Sequence, residues 1–330
     1  MKLALAPALL LLSIPNAQCL SGLIRRFTDT WKAEEGNHSP LPRSAFPSAI
    51  PNGKHQEPIP IVPAPWTLKG DVYIFGLWSS SAEAERIPHE LAYSPLEASS
   101  SFADDKIHKP AGGVGMIQII RYRESPVGPY DELIIMPGNY DWERQVGEQH
   151  IRGRNPKITR IYVSQERTCY NGRRNWNIPK HLAKFDWAQN QDGSVSVQVY
   201  PYDTTGDVQE SFPSSTPFFQ ATLAPVGFLP SFPFSTKWAD YIGFNTSLVM
   251  PPLPQGRGSR NELPGTDHWR SVSPRIDTQR ASLVMFDLAQ RNQQGEITGQ
   301  YENFWPGLKR RKVGLKLNDA TLSFPVADEW

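Results

Sequence analysis

Short runs of apolar and β-branched residues, separated by turn signals, recur along most of the chain. DVYIFGLW (71–78), GMIQIIRYR (115–123), ELIIMPG (132–138), ITRIYVSQ (158–165), SVSVQVYP (194–201), FFQATLAP (218–225), SLVMF (282–286) and VGLKLNDATLSF (313–324) each read as a strand. Each either alternates with period two or is an unbroken apolar stretch of strand length. GGVG (112–115), SPVGPYD (125–131) and NQDGS (190–194) read as the turns between them. Helical periodicity is scarce, and IPKHLAKF (178–185) and LAQRNQQG (288–295) are the short helix candidates. No repeat of fixed period is present. Many strands with short connections predict a mainly β domain with a few short helices: an antiparallel barrel, or a sheet rolled on itself.

The two ends of the pattern differ from its middle. MKLALAPALLLLSIPNAQCL opens with one lysine, an apolar stretch and a small-residue exit. That layout predicts a secretory signal peptide over 1–19, too short to span a membrane. Residues 20–60 are rich in Pro, Ser, Asn and charge and predict an extended arm, with the domain running over 61–330. On this reading the protein enters the secretory pathway, and Asn37 and Asn245 head glycosylation sequons. If the apolar segment stays attached, the protein is intracellular.

Composition narrows the picture further. The 31 prolines and 11% aromatic content of the 330 residues fit strands better than helices. A formal net charge of +1 gives no electrostatic footprint for nucleic acid. Loss of Cys19 with the signal would leave Cys169 alone, so no internal disulfide is expected, and a lone cysteine reads as a buried small hydrophobe. The chain has no HExxH, CxxC, GxSxG or P-loop, and its GGVG lacks the GxGxxG context. Neither a metal nor an organic cofactor is implied, and side-chain chemistry is what remains.

GRRNWNIPKHLAKFDW (172–187) is where that chemistry concentrates. Read as a helix start, Asn177 is the N-cap, Pro179 lies in the first turn, and Lys180 sits at the positive end of the dipole. Lys184 would share its face, and Trp176, Ile178, Leu182 and Phe185 would surround it with apolar bulk. Like charge and desolvation both favour a neutral amine, which is a nucleophile able to form a Schiff base. A solubilising surface lysine is the plain alternative.

Gly172-Arg173 followed by Ile178-Pro179-Lys180-His181-Leu182 resembles the catalytic segment of the acetoacetate decarboxylase superfamily. Tyr130-Asp131-Glu132 resembles the family's cavity-lining Tyr-x-Glu, and PWTLKGDVY resembles its domain start. The likeness spans roughly residues 60–330, and the lysine segment is its specific part. It implies a closed, cone-like barrel with an internal cavity and assembly into homo-oligomers. It also implies Lys180 as the Schiff-base residue and Glu132 as the group that handles protons or orients substrate. Arg173 or Arg174 would hold a carboxylate, while Trp176, Tyr130 and His181 would complete the substrate site.

The pattern departs from the family at three places. His181 replaces a second lysine, Arg174 replaces a glutamate, and Asp71 stands where the family has an arginine. The amine is kept and its polar surroundings are rewritten, which predicts a larger or more hydrophobic substrate than acetoacetate. The expected function is a Schiff-base lyase acting on a keto acid or related small carbonyl compound. Decarboxylation leads, with aldol or dehydration chemistry as branches. A barrel that binds a small ligand without chemistry is the alternative.

Overall fold

An odd number of strands cannot close a barrel by antiparallel pairing alone, because directions that alternate around a ring must return to where they began. Nine strands close this barrel, and one neighbouring pair is therefore parallel. That pair positions the site.

The computed structural model describes residues 58–202, 209–210, 212–227, 230–241, 245–289, 294, 296 and 313–330. The segment expected to be a signal peptide, the arm up to residue 57, the Asn37 sequon and most of LAQRNQQG lie outside the described residues.

In chain order the elements begin with β1 (Trp66–Ser79), α1 (Ser81–Ala84), α2 (His89–Ala92), α3 (Pro95–Ala98) and a single 3-10 turn (Ser101–Ala103). Next come β2 (His108–Glu124), β3 (Tyr130–Met136), β4 (Asn139–Val146), β5 (Gln149–Pro156), β6 (Arg160–Val163), α4 (Glu166–Trp176) and β7 (Lys180–Gln189). β8 (Val195–Pro201), β9 (Gln209–Glu210), β10 (Phe219–Pro225), β11 (Phe232–Ser235), α5 (Lys237–Tyr241), β12 (Leu248–Met250) and β13 (Arg257–Gly258) follow. The chain closes with β14 (Arg270–Val272), β15 (Arg275–Asp287), β16 (Val313–Phe324) and β17 (Asp328–Glu329).

The barrel runs β1-β16-β15-β10-β8-β7-β6-β3-β2 and returns to β1. β1 closes it by pairing with β16 on one side and β2 on the other. From Val72 to Leu77 β1 is buried on both faces, which explains its unbroken apolar run. Every neighbouring pair is antiparallel except β6 and β7, where Ile161 pairs with Lys180 in parallel register. The expected closed antiparallel barrel is therefore present, with this one parallel seam. A parallel pair needs a crossover, and α4 supplies it.

Three local expectations also change. GGVG is no turn between strands: Gly112 (φ +67°) and Gly113 (φ +90°) bend β2 within its length. The register shifts between Pro110 and Gly112 as the strand leaves β4, and a Cβ on Gly112 would lie 2.6 Å from the Ser79 carbonyl oxygen. The β4–β5 hairpin carries WER and HIRGR on an outlying arm of the sheet, so it lacks the apolar run by which a strand is read. IPKHLAKF is not a helix: Lys180 opens β7, and the helix lies before it.

Local chemistry explains that reversal. The Gln165 side chain caps the start of α4 by accepting from the Thr168 backbone N–H at 3.1 Å, and Glu166 lies in the first turn. Asn177 ends the helix in the left-handed region (φ 53°, ψ 29°), a conformation asparagine tolerates, and Pro179 prevents continuation. Its amide nitrogen donates to the carbonyls of His268 (2.6 Å), Pro251 (3.1 Å) and Met250 (3.4 Å), tying the helix end to two distant segments. The residue expected as an N-cap is a C-cap. Asn177→Ala removes these bonds and strains the backbone, and should lower unfolding free energy by about 2–4 kcal/mol. Urea denaturation measures this; an unchanged midpoint contradicts the role given to Asn177.

Candidate active site

Alternation on β3 places Tyr130, Glu132 and Ile134 on one face, directed into the barrel. Trp176, Ile178 and Lys180 reach the same space from the end of α4 and the start of β7. Trp66, Leu68, Tyr122, Ile158, Ile161 and Phe324 complete the wall. Trp176 packs between Trp66 (5.1 Å, edge-on) and Phe324 (5.4 Å), closing one end with aromatic rings. The cavity has room for about one water molecule. Most of the lining side chains are apolar.

Lys180 is 4% exposed and Glu132 2%. The Lys180 ammonium donates to Glu132 Oε2 at 2.6 Å and to Thr168 Oγ1 at 3.0 Å, with the Tyr130 ring centroid 5.2 Å away. The Tyr122 hydroxyl donates to Glu132 Oε1 at 3.1 Å. Burial, reinforced by the Glu132 charge, holds the Tyr122 and Tyr130 hydroxyls well above the usual phenol range, so both remain protonated at neutral pH. The helix-start argument for Lys180 does not apply. The lysine follows the negative end of α4, and Lys184, four strand residues along, is exposed and paired with Asp186 at 2.7 Å. Lys180 is instead buried and directly opposed by the Glu132 carboxylate.

Gly172 makes room for this side chain. A Cβ there would lie 2.6 Å from Lys180 Cδ and 2.7 Å from Cε. Thr168 and Gly172 are one turn apart on the same face of α4, so the helix supplies both the gap and a hydrogen-bond acceptor.

On the other side of β7 lies a second buried polar group. Successive strand residues face opposite ways, so His181 points away from the cavity and meets Glu97 Oε2 at 2.6 Å. Arg173 donates to Glu97 Oε1 (2.9 Å) and to the carbonyls of Pro254 (2.8 Å), Pro264 (3.1 Å) and Lys180 (3.3 Å). All three side chains are fully buried. Burial alone would raise the Glu97 carboxyl; the charges of His181 and Arg173 and their hydrogen bonds overcome it and hold the group below its ordinary value. The Cys169 thiol donates to the Lys180 carbonyl at 3.1 Å. Arg173 and Cys169 thus fix the main chain from which Lys180 projects.

Of the residues singled out in the sequence, Lys180, Glu132, Tyr130 and Trp176 meet at the cavity. Arg173 and His181 do not line it, because both turn to Glu97. Arg174 is exposed on the outer face of α4, 3.5 Å from the Tyr170 hydroxyl. Asp71 pairs with Arg123 at 3.1 Å, outside the cavity. Sequence reasoning missed Thr168, Tyr122 and Glu97. Thr168 is legible once α4 is read as a helix, and Tyr122 through its register with Tyr130 across β2 and β3. Glu97 lies 76 positions from Arg173 and carries no local signal. Among the described residues, no cluster of three or more His, Cys, Asp or Glu could hold a metal.

No protein-family model and no curated protein matches this sequence. Solved structures do align with it. Acetoacetate decarboxylase from Legionella pneumophila is 12% identical, covering 88% of this chain and 98% of its own, with a TM-score of 0.45. An acetoacetate decarboxylase-like enzyme from Sphingomonas wittichii is 11% identical over 82% of this chain and 94% of its own, at 0.46. The enduracididine biosynthesis enzyme MppR is 10% identical over 82% and 90%, at 0.43.

Two predictions follow from the geometry around Lys180. Gly172→Ala should displace the Lys180 side chain while leaving the far-UV spectrum intact, and lower its rate of reductive alkylation about tenfold; an unchanged rate contradicts the space argument. Glu97→Gln should cost about 3–5 kcal/mol near neutral pH, because it leaves buried cations uncompensated. A carboxyl lowered in the folded state contributes fully above its unfolded value of about 4.3, and its contribution fades as pH falls through the folded value. The gap between the denaturation midpoints of the two proteins should therefore begin to narrow only as pH falls below about 4.3; a pH-independent gap contradicts this assignment.

Proposed function

We propose that this protein is a Schiff-base-forming enzyme of the carbon–carbon lyase type, acting on a small carbonyl compound through Lys180. The observation that carries this reading is the buried Lys180–Glu132 pair, 2.6 Å apart at the wall of an apolar cavity. The motif likeness around Lys180 points the same way.

The chemistry uses groups already in contact. Glu132 takes a proton from the ammonium, and the freed amine adds to the substrate carbonyl carbon. The carbinolamine takes that proton on its hydroxyl, loses water and becomes an iminium. The iminium draws electrons from the adjacent carbon, so a bond at that carbon breaks to leave an enamine. Glu132 accepts and returns the protons of these steps, and Tyr122, still protonated, holds its second oxygen. Trp66, Trp176 and Phe324 exclude water from the iminium until hydrolysis.

Treatment with butanone and borohydride should add the mass of one reduced butanone adduct, and Lys180→Met should abolish the gain. Glu132→Gln should slow adduct formation by about 100-fold or more, the lower range for loss of a general acid–base. Absence of any adduct on folded protein contradicts the enzyme reading and favours a barrel that binds a ligand without chemistry.

A further inference from the structure

We infer that the substrate is a neutral ketone or aldehyde and not a keto acid. The inference rests on the Schiff-base reading above and concerns what the same site can accept.

Charge accounting at the cavity carries it. The polar side chains on the wall are Lys180, Glu132, Tyr122 and Tyr130, and Lys180 is the one cation among the described lining residues. Its charge is already matched by Glu132 at 2.6 Å. Moving a proton between the two leaves the sum at zero, and converting the amine to an iminium leaves one positive charge facing one carboxylate. A substrate carboxylate would take the compartment to a net −1, enclosed by Trp66, Leu68, Ile134, Ile178 and Phe324. A buried unpaired charge in such surroundings is strongly disfavoured.

The arginines that could have offset it are committed elsewhere. Arg173 is fully buried, with its guanidinium on Glu97 and three backbone carbonyls behind β7. Arg174 is solvent-exposed on the outer face of α4. Lys157 is buried too, but it donates to the Phe102 carbonyl at 2.6 Å among the rings of Tyr93, Phe102 and Tyr140, and it is not on this wall. The Tyr130 hydroxyl can donate to a carbonyl oxygen, and the Glu132 carboxylate can accept from a substrate hydroxyl.

The bond that breaks is then not one to a carboxylate. A β-hydroxy ketone balances the site's chemistry. After iminium formation Glu132 takes the hydroxyl proton, the Cα–Cβ pair moves into the iminium to give an enamine, and an aldehyde leaves. Glu132 returns the proton to Cα, and water releases the ketone and restores Lys180.

The test is a matched pair that differs in charge and little in size: acetoacetamide and acetoacetate. Each is incubated at equal concentration with the full chain, reduced with borohydride and followed by intact mass, with butanone and Lys180→Ala as controls. Acetoacetamide should form the Lys180-dependent adduct at least about tenfold faster than acetoacetate, the factor equivalent to about 1.4 kcal/mol. Equal or faster trapping of acetoacetate overturns the neutral-substrate inference and leaves the Schiff-base reading standing. No adduct with any of the three carbonyls, on protein with an unaltered melting transition, overturns the Schiff-base reading itself.

Discussion

An ammonium group among Trp66, Trp176 and Phe324 needs a counter-charge within hydrogen-bond reach, and Glu132 supplies it. Removing either partner would leave a bare buried charge at a cost of about 3–5 kcal/mol. A pair of greasy side chains would fill the same space without that exposure to risk. The pair is therefore poor evidence of stabilisation. In the proposed mechanism the same carboxylate that opposes the resting amine, 2.6 Å away, is the group that takes its proton.

The barrel is arranged to hold that pair. Closing nine strands forces one parallel seam, and the parallel seam requires a crossover. The crossover helix places Thr168 and Gly172 against the lysine side chain, and Arg173 and Cys169 on its carbonyl. Asn177 stops the helix so that β7 begins at Lys180 itself. Behind the strand, the Glu97–Arg173–His181 group fixes the main chain without entering the cavity. Alternation along β7 explains why adjacent residues have unlike tasks, with Lys180 directed inward and His181 to the supporting network.

Much of this was legible in the sequence, for physical reasons. VGLKLNDATLSF matches β16 end to end, because its alternation is that of a strand half-buried in a barrel wall. Lys180, Glu132, Tyr130 and Trp176 line one cavity; the apolar bulk beside Lys180 and Trp176 marks their segment, and Tyr130 and Glu132 stand out through the family resemblance alone. The start of β7 reads as a helix because Asn-x-Pro before an apolar run fits a helix start, while asparagine also suits the left-handed end of one. The β4–β5 hairpin was missed because its strands are charged. Arg173 is held by Glu97, distant in sequence, and no local pattern encodes such a contact.

The most direct test is to locate the reactive amine. Protein reduced in the presence of butanone is digested, and the alkylated peptide is identified by tandem mass spectrometry. The account predicts modification at Lys180, with exposed lysines such as Lys69, Lys109 and Lys184 labelled far more slowly. Labelling that follows exposure and spares Lys180 would contradict it.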